Sequence, residues 1–203
     1  MFKKLAADAL GLSDIGAVIH PKDFDKVDAD DYVMHEDDEK IFFLIKSKSD
    51  EYCFTNKALI HVDGASAVSK KRTLRRLDYL NYQVDHVALE TAGAIDLDIE
   101  IKFSMGEQYY SIDVNKNQIE ALKDLYKALI KIKSIQQENA KLYAYAERSL
   151  TTTAETLNRA SGPTALEESF KAINQYAFDW QKQAHEQYMV KDFGFVFEKF
   201  IKN

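Results

Sequence analysis

An unbroken alternation of apolar and polar residues extends from Ile95 to Met105. A period of two residues is typical of a β-strand that buries one face and exposes the other. The apolar face comprises Ile95, Leu97, Ile99, Ile101, Phe103 and Met105. Because an antiparallel strand of this kind must hide its apolar face, we expect neighbouring strands and an element that covers them.

Other strand-like segments lie on both sides of this one. They are rich in β-branched and aromatic residues, and pairs such as Asp63-Gly64 between them suit tight turns. The predicted strands cover residues 40–46, 51–55, 58–62, 72–77, 84–90 and 108–114. For residues 72–80 a helix is an alternative prediction, because Leu74, Leu77 and Leu80 fit a helical period. With 95–105, seven strands in antiparallel sequence suit a sandwich or a barrel.

Beyond the last strand the pattern changes to a helical period. Apolar residues recur every three or four positions from Ile119 to Ile132, which predicts a helix of at least four turns over the open end of the sheet. The stripe consists of Ile119, Leu122, Leu125, Tyr126, Leu129 and Ile132. Ser134 and Thr152 are candidate caps of new helices, each with Gln or Glu three residues on, and 161–164 predicts a stop and a restart.

A second apolar stripe follows that stop. Its residues advance by alternating steps of four and three, the spacing of a seam that pairs with another helix. The seam consists of Leu166, Phe170, Ile173, Ala177, Trp180 and Ala184. Two partners are open: residues 135–160 of the same chain, packed against 165–190 as a hairpin, or a helix of another chain. The C-terminus adds Phe193, Phe195, Val196, Phe197, Phe200 and Ile201.

The N-terminal part combines a short helix with an acidic run. Apolar residues at helical spacing predict an amphipathic helix over 2–10, which we expect to pack on its own protein. Pro21 suits a first helical turn. The carboxylates of 23–39 predict a solvated face and a linker into the sheet, since the ligand order and central glycine of a calcium loop are absent.

Composition narrows the class of partner. The 27 basic and 33 acidic residues give a net charge of −6 at pH 7, which argues against nucleic-acid binding, and the aromatic residues fall at core positions. Cys53 is the single cysteine, so the chain has no internal disulfide and we expect a cytoplasmic protein. The sequence contains no run of eighteen apolar residues, so we predict no membrane span.

One stretch concentrates positive charge. It contains Lys70, Lys71, Arg72, Arg75 and Arg76. These candidate anion-binding residues could hold an anionic lipid head group or another polyanion. The alternative is that they pair with Asp96, Asp98 and Glu100 or with the acidic segment before the sheet, because opposite charges commonly cover a polar sheet face.

Catalytic and metal-binding patterns are weak throughout the sequence. The carboxylates of the long strand have no convergent partners, and the histidines are scattered singly. No phosphate-binding loop or nucleophile motif occurs. We therefore predict no catalytic, metal-binding or cofactor-binding residue. An enzyme with a diffuse active site stays open as a less favoured alternative.

Several local strings resemble a known family. They are Phe54-Thr55-Asn56-Lys57, Asp63-Gly64, Glu90-Thr91-Ala92-Gly93 and Asp96-Leu97-Asp98-Ile99-Glu100. Over residues 31–133, together with the strand order, the chain resembles the bacterial pleckstrin-homology (PH) domain family. Two positions depart from the pattern, with Ala58 where the family has Arg and Leu80-Asn81-Tyr82 in place of a Pro-Tyr pair. The tail resembles the helical YvbH-like extension, regarded in that family as an oligomerisation region.

The resemblance implies a non-catalytic domain whose ligand is open. PH domains that bind phosphoinositides use basic residues in the first loop, but Ser47 to Asp50 is short and contains no Arg. We therefore do not transfer lipid binding. The sequence predicts an α+β protein, with a PH-like seven-stranded antiparallel barrel or sandwich capped by a C-terminal helix and followed by a helical extension.

We expect three parts and one main role. The parts are an N-terminal helical segment at 1–30, the PH-like domain at 31–133 and the helical extension at 134–203. The expected role is a cytoplasmic scaffold or assembly module that forms homo-oligomers, with a further protein partner open and no cofactor. The alternative is a module that contacts a membrane surface or an anionic ligand through the basic stretch.

Overall fold

The computed structural model describes residues 15–64, 72–91, 98–160 and 166–202. Two antiparallel sheets contain all seven predicted strands, and a short N-terminal strand joins the first sheet. The five-stranded sheet consists of β1 (Ala17–Val18), β2 (Ile41–Lys46), β3 (Asp50–Thr55), β4 (Ala58–Gly64) and β5 (Arg72–Asp78). The three-stranded sheet consists of β6 (Val84–Glu90), β7 (Asp98–Met105) and β8 (Gln108–Asn115). The α+β prediction is confirmed, and the helical alternative at 72–80 is wrong.

The five-stranded sheet is covered on both faces. On its inner face Phe54 lies against Phe103 of β7, with ring centroids 5.8 Å apart. On its outer face Leu44, Cys53, Ile60 and Val62 form a buried cluster with side chains from the segment before β2. Strands buried on both faces need apolar residues at successive positions, which explains the dense apolar runs of β2 and β4.

The acidic segment before β2 supplies that outer cover. It forms 3₁₀ helices at Pro21–Lys26, Asp28–Tyr32 and His35–Asp37. Its carboxylates are largely solvated as predicted, but Val27, Ala29 and Val33 are buried in the outer cluster. The prediction of a mere linker is therefore wrong. Burial of these three apolar side chains, together with the hydrogen bond from Ala29 N to Glu51 of β3 (2.7 Å), docks the segment on the sheet.

Gly16 joins the two sheets. Its N–H donates to Asp113 O (2.8 Å) and its carbonyl accepts from Asn115 N (3.0 Å), while the following β1 pairs with β2. A Cβ atom at Gly16 would lie 2.8 Å from Ile45 Cγ2 and 2.9 Å from Asp113 O. Only glycine fits this approach without displacing its neighbours.

A long helix, α1 (Ile119–Ala160), follows the sheets. In its first turns Leu122, Leu125, Leu129 and Ile132 of the predicted stripe are fully buried, as is Ala128, which the stripe does not include; Ile119 and Tyr126 are half-buried. Gln118, in a short 3₁₀ turn just before α1, exchanges two hydrogen bonds with the backbone of Val18. Lys133 pairs with Asp85 of β6 at 2.5 Å. The helix therefore covers the sheets that precede it.

Helix α1 continues through both predicted start points. Ser134 and Thr152 lie inside it, so the predicted caps are wrong. The hydroxyl groups of Thr151, Thr152 and Thr153 donate to the carbonyl oxygens four residues earlier at 3.1, 3.0 and 2.9 Å. Side chains that bond back to their own helix do not need to end it.

Two shorter helices complete the described chain: α2 (Leu166–Tyr188) and α3 (Gly194–Phe200). The predicted stop at 161–164 and the predicted helix at 2–10 lie outside the described residues.

Among the helices that the structure describes, none combines the length and apolar content that crossing a lipid bilayer requires.

The described chain forms two compact units. One contains residues 15–133 together with 191–202, and the other contains 134–190. The sequence-based division differs at both ends, because it separates residues before 31 and assigns all of 134–203 to the extension. Val27, Ala29 and Val33, and likewise Phe193 and Phe197, are instead buried within the first unit.

Candidate functional site

The second unit is a helical hairpin, made by residues 134–160 of α1 and by α2. Its better-packed part lies around Ala146 and Ala184, which are 8% and 7% exposed. Trp180 Nε1 donates to Ala146 O at 3.3 Å, and the Tyr143 and His185 rings meet edge to face at 6.5 Å. The C-terminal half of the predicted seam therefore pairs within the chain.

The other half of the hairpin leaves apolar side chains open to solvent. Phe170, Ile173 and Tyr176 are 69%, 38% and 62% exposed. Between the helices lies a groove of about 650 Å³. It is lined by Leu150, Thr151, Thr153, Ala154, Glu155, Ala172, Ile173, Tyr176 and Ala177. We call it the hairpin groove.

Polar side chains on α2 lie away from the hairpin groove. Gln175 Nε2 donates to Asp179 Oδ1 at 3.0 Å, and Lys182 and Glu186 form an i,i+4 pair. This solvated face contrasts with the groove, where Glu155 is the single charged residue of the lining. Contiguous apolar surface of this kind marks interaction sites in proteins.

The described residues of the basic stretch all pair with carboxylates. Arg72 pairs with Asp28 of the acidic segment. Arg75 Nη1 lies 3.1 Å from Asp63, and Arg76 contacts Glu39 and Asp78 at 2.9 Å each. The structure thus brings two of the three arginines to the segment before the sheet, and none to the described carboxylates of β7. Lys70 and Lys71 lie outside the described residues.

Glu39 is the centre of this network. It is 1% exposed, and its carboxylate accepts hydrogen bonds from Thr55 Oγ1 (2.5 Å), Met34 N (2.8 Å) and Arg76 Nη1 (2.9 Å). Burial by itself would raise the pKa of Glu39, but the hydrogen bonds from Arg76, Thr55 and Met34 outweigh it and lower the pKa. A buried, charged anchor of this kind fixes the turn between β3 and β4.

That turn contains the family string Thr55-Asn56-Lys57. Thr55 Oγ1 accepts from Ala58 N at 2.8 Å, and Asn56 Oδ1 accepts from Lys40 N at 2.8 Å. Asn56 also donates to Asp192, far along the chain, at 2.6 Å. Asp192 lies near the start of residues 191–201, which we call the C-terminal segment.

Comparison with known families identifies the first unit. Residues 9–133, more than half of the chain, match the family model described as bacterial PH domain. The chain belongs to the bacterial PH domain family. Residues 144–203 match a second family model, described as a YvbH-like oligomerisation region. Both predicted resemblances are confirmed.

Two relatives extend the match over nearly the whole chain. The uncharacterized protein YvbH of Bacillus subtilis (strain 168) is 56% identical over 204 residues, and the match covers 100% of both chains. A crystal structure of a PH domain containing bacterial protein from Exiguobacterium sibiricum 255-15 is 50% identical, with a TM-score of 0.86. That match covers 93% of this chain and 100% of the other.

The oligomerisation region includes parts of both units. It contains the hairpin groove and also the C-terminal segment, which belongs to the unit of the PH domain. Of the predicted seam, Ile173 and Ala177 line the groove, Trp180 and Ala184 make the contacts inside the hairpin, and Phe170 is exposed. Leu166 begins α2.

Some important residues of the PH domain give no signal in the sequence. Glu39 ends a run of exposed acidic residues, and nothing in the pattern marks it as the buried one. Asp192 lies among aromatic residues, and its partner Asn56 is 136 positions away. Asn56 could have been noticed, because an Asn inside a family string at a tight turn commonly organises the backbone around it.

Metal and thiol chemistry find no support in the described part of the chain. No group of three or more His, Cys, Asp or Glu side chains there could hold a metal ion. The Cys53 thiol is buried, and burial raises its pKa well above the ordinary value. A thiol held in its protonated form is a weak nucleophile.

Proposed function

We propose that this protein is a non-catalytic PH-domain module that self-associates through the hairpin groove and acts as a cytoplasmic scaffold. The observation that carries the proposal is the open apolar groove of about 650 Å³ between α1 and α2. The region that contains it matches a family model described as an oligomerisation region. Neither matched family description names a reaction.

A second copy of the chain is the occupant that we propose for the groove. Ile173 and Tyr176 line it and remain partly exposed, so each copy offers both a recess and apolar side chains that can enter it. Such a self-complementary surface suits a two-fold contact, in which the same patch is used on both copies. Burying exposed apolar area at about 25 cal/mol per Å² then drives association.

The test is the molar mass of the full chain in solution. Because the C-terminal segment belongs to the first unit, point variants are preferable to truncation after residue 133. We expect wild-type protein to exceed the monomer mass in light scattering, and Tyr176→Glu to be monomeric because a desolvated carboxylate opposes association. Gln175→Glu adds the same charge on the solvated face and should leave the mass unchanged.

Two results would reject the proposal. One is a wild-type monomer at all concentrations tested. The other is a Tyr176→Glu variant with the same oligomer mass as the wild type, which would place the contact elsewhere on the chain.

A further inference from the structure

The C-terminal segment binds the PH domain through its backbone and one carboxylate. Phe193 N donates to Asn56 O at 2.7 Å, and Asn56 Nδ2 donates to Asp192 Oδ2 at 2.6 Å. The second Asp192 oxygen accepts from Gly194 N at 2.7 Å, at the start of α3. One carboxylate therefore both orients the helix start and contacts the turn between β3 and β4.

Aromatic side chains complete the contact. The Phe197 ring stacks on Phe42 with centroids 5.4 Å apart, and Phe193 meets Tyr79 edge to face at 5.6 Å. Phe193 and Phe197 are 1% and 0% exposed. Burial of two phenylalanine side chains, with paired rings, makes these positions the main source of binding energy.

The receiving surface is held in place by the PH domain itself. Asn56 is 4% exposed, and its side chain also bonds Lys40 N (2.8 Å) and Asp38 O (3.2 Å). The neighbouring Thr55 is fixed by Glu39. Because these bonds do not involve the segment, the amide of Asn56 is already oriented to donate to Asp192.

Gly194 also packs closely against this surface. A Cβ atom there would be in ordinary van der Waals contact with Asn56 Cβ (3.4 Å) and Phe42 Cζ (3.5 Å), and it would lie 3.0 Å from Asp192 Oδ1, so the Asp192 carboxylate would have to shift by a few tenths of an ångström.

Phe195 is 56% exposed, and its ring stacks on that of Phe193 with centroids 6.3 Å apart. Val196 is 1% exposed, whereas Glu198 is exposed. The segment therefore combines buried and exposed positions within a few residues.

We propose that the PH domain has a peptide-binding site, formed by Phe42, Asn56 and Tyr79, whose ligand is a short acidic and aromatic segment. Its sequence is Asp-Phe-Gly-x-Val-Phe, supplied in this chain by residues 192–197, with Val196 as buried as Phe193. The site recognises one carboxylate, one backbone N–H and two phenyl rings. The oligomerisation region then contains two interaction elements. The hairpin groove is open, whereas the C-terminal segment already occupies the peptide-binding site of the same chain.

The proposal is independent of self-association and predicts competition within one chain. A ligand tethered to its receptor acts at a millimolar effective concentration, so a free peptide at micromolar concentration cannot displace it. Vacating the site should expose it to a free peptide. The two proposals can fail separately, because one concerns α2 and the hairpin groove and the other concerns the PH domain.

The experiment uses a fluorescently labelled peptide of residues 189–203 and the full-length chain. The double variant Asp192→Ala, Phe197→Ala releases its own segment, and we expect it to bind the peptide saturably and at least about tenfold more tightly than wild-type protein does. A peptide carrying Glu198→Ala, a change at an exposed position of the segment, should bind equally well. A peptide with the Asp192→Ala change should bind about tenfold more weakly, as should the double variant after Asn56→Ala.

Two results would overturn the site. One is a folded double variant, judged by circular dichroism, that does not bind the peptide. The other is binding that is insensitive to Asn56→Ala. If the double variant does not fold, hydrogen exchange of wild-type protein decides: the Phe193 amide should be protected like those of β4, and exchange at the rate of the free peptide would reject the site.

Discussion

The PH domain and the helical hairpin treat aromatic and aliphatic side chains in opposite ways. In the PH domain Leu44, Phe54 and Phe103 are completely buried. In the hairpin Phe178 and Tyr176 are each 62% exposed. A unit that buries its apolar residues can be stable alone, whereas one that exposes them has surface left for a partner. The two units therefore differ in how far they bury their apolar residues.

The largest effect on stability should separate two matched Phe→Ala substitutions, one in each unit. Phe54→Ala removes a fully buried ring and should cost about 3–5 kcal/mol of the free energy of unfolding of the PH domain. Phe178→Ala removes a largely exposed ring and should cost less than about 0.5 kcal/mol. Urea unfolding of both variants measures this. Similar losses would contradict the contrast between the units.

This contrast also decides what could be predicted from the sequence. Most strands of the PH domain alternate or run apolar, whereas β5 does neither and leaves a helix as an alternative. The predicted strand positions agree with the structure within a residue or two for the described residues. The outer cover by Val27, Ala29 and Val33 could not be predicted, because single apolar residues among carboxylates have no clear period.

In the helical part, local signals were insufficient for a different reason. Capping residues at Ser134 and Thr152 are compatible with a helix interior when the side chain bonds back to the helix or faces solvent. Whether the seam pairs within a chain or between chains depends on how closely two helices approach. The spacing of apolar residues along the sequence does not give that distance. The contact of Asn56 with Asp192 is a pairing of distant residues that one sequence does not specify.

A second prediction concerns the charged network that fixes the β3–β4 turn. Glu39→Gln removes the carboxylate that Arg76 and Thr55 contact, and should cost about 1.5–3 kcal/mol at neutral pH. Glu36→Gln, at an exposed position of the same run, should cost almost nothing. Chemical denaturation of the two variants makes the comparison, and equal stabilities would contradict the anchoring role of Glu39.

The sign of the pH dependence follows from the lowered pKa of Glu39. Because folding lowers this pKa, the carboxylate contributes its full stabilisation above the ordinary glutamate pKa and loses it as the pH falls through the lowered value. The difference in stability between wild type and Glu39→Gln should therefore shrink on acidification. A difference that stays constant, or grows toward acid, would contradict this assignment.

The smallest effect is expected at the basic stretch. Arg72, Arg75 and Arg76 already pair with carboxylates, so we expect little attraction to anionic surfaces. In pelleting experiments with phosphatidylserine vesicles, wild-type protein and a variant with Arg72 and Arg75 changed to Glu should both stay in the supernatant; Arg76 is kept because it pairs with the buried Glu39. Salt-sensitive binding of the wild type, lost in the variant, would instead favour an anionic ligand.

The most direct test of the central claim is hydrogen exchange measured at several protein concentrations. If a second copy completes the hairpin, amides of residues 170–177 should exchange more slowly as the concentration rises, while those of β4 and β7 should not change. Exchange in 170–177 that is the same at every concentration, with a monomer mass throughout, would contradict the claim that the hairpin groove binds a second copy.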